Sequence, residues 1–121
     1  MAEKKILIAD DEQNLRLLVR ASLGKEYIVL EALNGEQAIE LARSERPSLI
    51  LMDVMMPRVN GFEACRILKA DPSTGHIPIV MLTASGGEEE KRQSDEVEAD
   101  GYIMKPFRPQ ELLDKVKGFV Q

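Results

Sequence analysis

Cysteine occurs once in this chain of 121 residues, at Cys65, and histidine once, at His76. One cysteine allows no internal disulfide and no cysteine metal cluster. A lone loop histidine is an unconvincing metal ligand, and Cys65 sits among apolar positions that suit a core. Long apolar runs are also missing. Ile6 to Ala9 is too short for a signal peptide, and nothing approaches the roughly 18 residues of a membrane span. There is no basic excess: 16 Lys and Arg face 21 Asp and Glu, a net charge of −5. Such a balance suits neither nucleic acid nor an anionic membrane as a direct partner. No Gly-Lys-Ser/Thr motif is present, which excludes a P-loop nucleotide hydrolase. A cytoplasmic location is the expectation that remains.

Apolar residues make up 44% of the chain, enough to bury a core, and the length predicts one domain over 1–121. Short apolar runs alternate with helical spacings. Ile6-Leu7-Ile8-Ala9, Tyr27-Ile28-Val29-Leu30, Leu49-Ile50-Leu51-Met52, Pro78-Ile79-Val80-Met81-Leu82 and Gly101-Tyr102-Ile103-Met104 read as strands. Runs apolar on both faces suit a parallel sheet covered on both sides. Leu15, Leu18, Val19 and Leu23 mark a first helix, closed by Gly24. Asn34-Gly35 turns into a second, and Phe62, Cys65, Ile67 and Leu68 mark a third. A last helix starts at Pro109. The alternation predicts an α/β, flavodoxin-like, doubly wound parallel sheet with strand order 2-1-3-4-5.

Four of these strands end in residues with chemistry: Asp10-Asp11, Asp53, Thr83 and Lys105. Ligands of open α/β sheets bind beyond the carboxyl ends of strands, at the switch in strand order. Here that switch lies between the strands ending in Asp10-Asp11 and in Asp53, so three carboxylates converge. Close carboxylates repel and retain protons, which a hard divalent cation relieves. Oxygen ligands without His or Cys favour Mg2+. Taken singly, each residue has a plainer reading: Asp11 as a helix cap, Asp53 as a loop acid, Thr83 as strand-end packing, Lys105 as a surface amine. The joint pattern outweighs these.

Ala9-Asp10-Asp11-Glu12, Leu51-Met52-Asp53-Val54-Met55-Met56-Pro57, Gly61, Leu82-Thr83-Ala84 and Tyr102-Ile103-Met104-Lys105-Pro106-Phe107 occur in one order along the whole chain. In these motifs the sequence resembles the receiver domain of bacterial response regulators, and is similar to the single-domain chemotaxis type. The resemblance implies a phospho-accepting signalling domain of a two-component phosphorelay. Asp53 is then the phosphoacceptor, taking a phosphoryl group from a sensor histidine kinase or a phosphotransfer protein. Mg2+ is held by Asp11, Asp53 and the Met55 backbone carbonyl, with Asp10 acting mostly through water. Lys105 pairs with one phosphoryl oxygen, Thr83 hydrogen-bonds another, and Lys105-Pro106 is a cis peptide. Thr83 and Tyr102 form a switch that alters the face of the fourth helix, fifth strand and fifth helix, where an output partner reads the state. A phosphorylation-dependent dimer is compatible with that scheme. Met55 and Ser85 flank the path of the water that removes the phosphoryl group. Such a domain is no enzyme beyond assisting its own phosphorylation and dephosphorylation.

Two rival readings fit less well. A phosphatase of the haloacid dehalogenase type needs an acid two residues after the nucleophile, where this chain has Met55. A flavodoxin-like FMN carrier needs a Ser/Thr/Gly-rich loop after the first strand, where Asp10-Asp11-Glu12 would repel phosphate. One segment departs from the family pattern. Glu88 to Asp100 holds seven acids and two bases, which accounts for the whole net charge. Its fourth helix, over Glu88 to Glu98, offers only Val97 to an apolar stripe, and Glu98-Ala99 replaces the family's usual Gly-Ala. Two expectations stand side by side: a short, tilted or mobile helix that is ordered by a basic partner or by phosphorylation, and a well-ordered, merely acidic surface helix.

Overall fold

The computed structural model describes residues 4–84 and 88–120. Five strands and five helices alternate: β1 (Lys5–Ala9), α1 (Gln13–Leu23), β2 (Ile28–Ala32), α2 (Gly35–Glu45), β3 (Leu49–Asp53), α3 (Gly61–Ala70), β4 (Ile79–Thr83), α4 (Glu88–Glu96), β5 (Gly101–Met104) and α5 (Pro109–Phe119). All strand pairs are parallel and the order is β2-β1-β3-β4-β5, as the alternation predicts. β3 and β4 are buried at every position because helices cover both faces of the sheet.

Successive side chains of a strand point to opposite faces, so each strand feeds two cores. On one face Leu7, Ala9, Ile50, Met52, Ile79 and Met81 pack with Ala38 and Ile39 of α2 and Ala64, Cys65 and Leu68 of α3. On the other, Ile6, Ile8, Leu49, Leu51, Val80 and Leu82 pack with Val19 and Leu23 of α1 and Leu112 and Val116 of α5. Cys65 belongs to the first core, where burial pushes its thiol up to about 12. His76 is exposed.

Strand boundaries shift by a residue in β1, β3 and β4 from the sequence expectation, and β2 shifts most. β2 begins at Ile28 and runs on through Glu31 and Ala32. Tyr27 instead closes the α1 turn, its N–H donating to the Leu23 carbonyl at 2.9 Å while its ring is buried. Glu31 looked like the end of an apolar run because it is charged, but it is a strand residue with ionic partners on α1.

Two glycines set the approach of elements to the carboxyl end of the sheet. A Cβ at Gly61 would lie 2.1 Å from the Asp53 carbonyl oxygen, and one at Gly35 would lie 2.1 Å from the Val59 carbonyl oxygen. Only glycine lets α3 start against the end of β3 and α2 against the loop after it. Asn34 and Asn60 cap these two helices, accepting from the N–H groups of Gln37 and Glu63 at 2.9 Å.

α4 is short, at nine residues, and within it Ser94 is the buried side chain. The Ser94 hydroxyl donates back to the Glu90 carbonyl at 2.9 Å. Beyond the helix Val97 joins the first core, and the Cys65 thiol donates to its carbonyl at 3.5 Å. The helix is therefore anchored at its carboxyl end. Arg92 pairs with Glu89 and Glu96 along the exposed face.

Candidate functional site

The carboxyl ends of β1, β3, β4 and β5 present Asp10, Asp53, Thr83 and Lys105 at one edge of the sheet, with Asp11 in the turn after β1. Carboxylate oxygens of Asp10, Asp11 and Asp53 all lie within 4.8 Å of one another. Asp10 is fully buried and Asp53 nearly so, while Asp11 is exposed. Asp11 does not cap α1, whose N-cap is Glu12 with no side-chain cap. The Asp10 Oδ1 accepts from the Glu12 N–H at 2.8 Å.

Lys105 Nζ lies 3.0 Å from Asp10 Oδ2, 3.1 Å from Asp53 Oδ1 and 3.9 Å from Glu12 Oε1. Burial lowers the affinity of this amine for its proton. The hydrogen bond to Asp10 and the charges of Asp53 and Asp10 outweigh that, so Lys105 is held above its ordinary value. Asp53 shows the opposite balance. Burial and the Asp10 charge push its carboxyl up to about 6, against the pull of Lys105 and of the Met55 N–H. One ammonium thus faces three carboxylates, and the cluster carries an excess of negative charge.

Thr83 Oγ1 is buried and has no hydrogen-bond partner among the described residues. Buried hydroxyls nearly always have one, so this oxygen has unused donor and acceptor capacity at the edge where the acids gather. Its backbone is fixed to Lys105, whose N–H donates to the Thr83 carbonyl at 2.7 Å. Beside Lys105 lies an open groove of about 470 Å³, walled by Leu15, Leu18, Ala84, Pro106 and Phe107.

Residues 6–117 match the family described as the response regulator receiver domain. The chain belongs to that family. It is 45% identical over its whole length to the phosphate regulon transcriptional regulatory protein PhoB of Pseudomonas aeruginosa, and 42% identical over 98% of its length to the transcriptional regulatory protein ResD of Bacillus subtilis. It spans about half of each regulator, 53% and 49% respectively. Among solved structures it superimposes on the chemotaxis protein CheY4 of Vibrio cholerae with a TM-score of 0.93 and 32% identity, covering 98% of this chain and all of that one.

Within this receiver domain the remaining sequence-predicted positions fall as follows. Lys105-Pro106 is a cis peptide. Met55 is 70% exposed at the mouth of the site, and its N–H reaches Asp53 Oδ1 at 3.4 Å. Met56 is buried in the first core, and Met104 is exposed. Tyr102 is half-buried against the first core, with the Lys91 ammonium 5.7 Å from its ring centre. Ser85 lies outside the described residues. The sequence reading missed two contributors. Glu12 carries a third carboxylate toward Lys105, after Asp10 and Asp53. Arg16 donates through Nη1 to the Asp10 carbonyl at 2.9 Å and through Nε to Glu31 at 2.9 Å. The signals that reveal them are a charged residue inside an apolar strand, Glu31, and two arginines one helical turn apart, Arg16 and Arg20.

Proposed function

We propose that this receiver domain accepts a phosphoryl group on Asp53 and reports it at the face formed by α4, β5 and α5. The observation that carries the reading is the imbalance of charge at the site: three carboxylates within 4.8 Å, two of them buried, against one lysine. Such a cluster fits a hard divalent cation, and oxygen donors without His or Cys fit Mg2+. Asp10, Asp11 and Asp53, with the Met55 carbonyl, would hold it. Bound there, Mg2+ supplies charge that offsets the carboxylate and the phosphoryl oxygens.

A carboxylate oxygen of Asp53 attacks the phosphorus of a donor phosphohistidine. The O–P bond forms as the P–N bond breaks, and the leaving imidazole nitrogen keeps the electron pair and takes a proton from solvent. In the metal-free site burial and the Asp10 charge raise the Asp53 carboxyl to about 6, and Mg2+ held beside it would favour the charged form that attacks. Lys105, already 3.1 Å from Asp53, pairs with a phosphoryl oxygen. The Thr83 hydroxyl, which has no partner among the described residues, donates to another. Its movement vacates space that Tyr102 fills, shifting the population of two packings on the α4–β5–α5 face. Met55 has no group able to orient a water, which favours a persistent phosphoryl group. The donor is a sensor histidine kinase or phosphotransfer protein, and the groove beside Lys105 gives it an approach. The output partner is read as a protein rather than nucleic acid, given the net charge of −5. No described helix is long and apolar enough to cross a membrane, and a cytoplasmic site is part of the proposal.

Acetyl phosphate with Mg2+ tests this directly. The native chain should gain one base-labile phosphoryl group, and Asp53→Asn or added EDTA should abolish the gain. Undiminished labelling of Asp53→Asn would overturn the assignment.

A further inference from the structure

Asp11 is the least supported acid of the cluster. Among the described residues no side chain hydrogen-bonds its carboxylate, so its direction is set by its own backbone. That backbone is held through the preceding peptide. The six atoms of a peptide unit are coplanar, so an anchor on the Asp10 carbonyl also fixes the Asp11 nitrogen and Cα. The anchor is Arg16, whose Nη1 donates to the Asp10 carbonyl at 2.9 Å. On its other side the Asp10 N–H donates to the Ala32 carbonyl of β2 at 3.0 Å.

Arg16 is in turn immobilised. Its side chain is only 12% exposed, and its Nε donates to Glu31 Oε1 at 2.9 Å. The second Glu31 oxygen is taken by Arg20, through Nε at 2.9 Å and Nη2 at 2.5 Å, and Arg20 Nη2 also reaches the Val29 carbonyl at 3.1 Å. Hydrogen bonding from Arg20 and then Arg16 holds the Glu31 carboxyl below the usual carboxylate range. The planar guanidinium of Arg16 spans the carbonyl and the carboxylate in one geometry, which an ammonium on a flexible stem does not reproduce. Glu31 offsets only one of the two guanidinium charges, and by charge alone a nearby cation would oppose Mg2+, so what Arg16 can contribute to holding the metal is direction rather than charge.

We propose that Arg16, braced by Glu31 and Arg20, is a positioning residue that aims Asp11 at the cation shared with Asp10 and Asp53. This rests on the phospho-accepting reading and deepens it by naming what orients the metal ligand. The competing view is a surface ion-pair cluster that merely pins α1 to β2.

The full chain is titrated with Mg2+ by calorimetry. Phosphorylation by acetyl phosphate is followed against Mg2+ concentration, and unfolding by urea is measured in EDTA. Arg16→Ala should bind Mg2+ about tenfold more weakly, as outer-shell ligand supports do when removed. Its phosphorylation should need about tenfold more Mg2+ yet reach nearly the native rate at saturation. Arg16→Lys should show the same loss. Native Mg2+ affinity in Arg16→Ala, with only its urea midpoint lowered, would overturn the proposal. So would full restoration by Arg16→Lys. Should Arg16→Ala fail to fold, Glu31→Gln keeps the shape of the brace and should still weaken Mg2+ binding severalfold; unchanged affinity there overturns it equally. Failure of the underlying reading looks different: the native chain itself would not bind Mg2+, and both ideas would fall together.

Discussion

Asp53 is a carboxylate kept where its charge is disfavoured. Burial is the larger cause and the Asp10 charge adds to it, so its pKa rises from 3.8 to about 6. Between those values the folded chain holds a proton that the unfolded chain has released. Stability therefore falls as pH rises through that window, and the whole penalty is present at pH 7 and above. A shift of about two units corresponds to roughly 3 kcal/mol. Asp53→Asn should remove that penalty. In urea unfolding with EDTA at pH 7.5 it should be more stable than the native chain by roughly 1–3 kcal/mol, and the difference should shrink toward pH 5. Equal stability at pH 7.5 would mean that the site is not strained by its own charge. The sequence located this residue because a carboxylate follows a fully apolar strand. It did not place Arg16 at the site: Glu31 inside an apolar strand and Arg16 and Arg20 one turn apart point to an ion-pair cluster, but only the fold brings that cluster to the Asp10 carbonyl.

At the scale of elements, the strand ends were legible and α4 was legible only in part. A helix without an apolar stripe has little to bury, and α4 is nine residues long with its hold on the core at Val97 just past its end. The capping geometry there was beyond the sequence. The Ala99 N–H donates to the Ser94 carbonyl at 3.0 Å and the Glu98 N–H to the Asp95 carbonyl at 3.1 Å, the two bonds of a Schellman motif. Glu98 occupies its left-handed position, with φ of 63°. A side chain there costs about 1 kcal/mol that glycine avoids, and a carboxylate beside a helix carboxyl end adds to the cost. Glu98→Gly should raise stability by about 1 kcal/mol in thermal or urea unfolding. A loss of stability would show that Glu98 makes a compensating contact. β2 shows the opposite kind of misreading: Glu31 broke the apolar run, yet a strand continues through it because its charge is met from α1.

For the molecule as a whole, site and face share the β4–β5 border. Thr83 pairs in register with Met104, and Met81 with Tyr102, so the hydroxyl beside the acids and the half-buried tyrosine stand on adjoining strands. The acids of α4 lie next to that border, and the segment from Glu88 to Asp100, with seven acids and two bases, carries the net charge of the entire chain. The chain spans about half of the transcriptional regulators it resembles and all of a chemotaxis regulator. The proposal places this chain's covalent chemistry at one carboxylate. The most direct measurement is to trap it. The native chain is treated with acetyl phosphate and Mg2+, reduced with borohydride, which converts an acyl phosphate to an alcohol, and digested for mass spectrometry. The converted residue should be Asp53 alone, in the peptide that carries Leu51 to Met56. Conversion at Asp10, Asp11 or any other acid, or none at all, would contradict the assignment of Asp53 as phosphoacceptor.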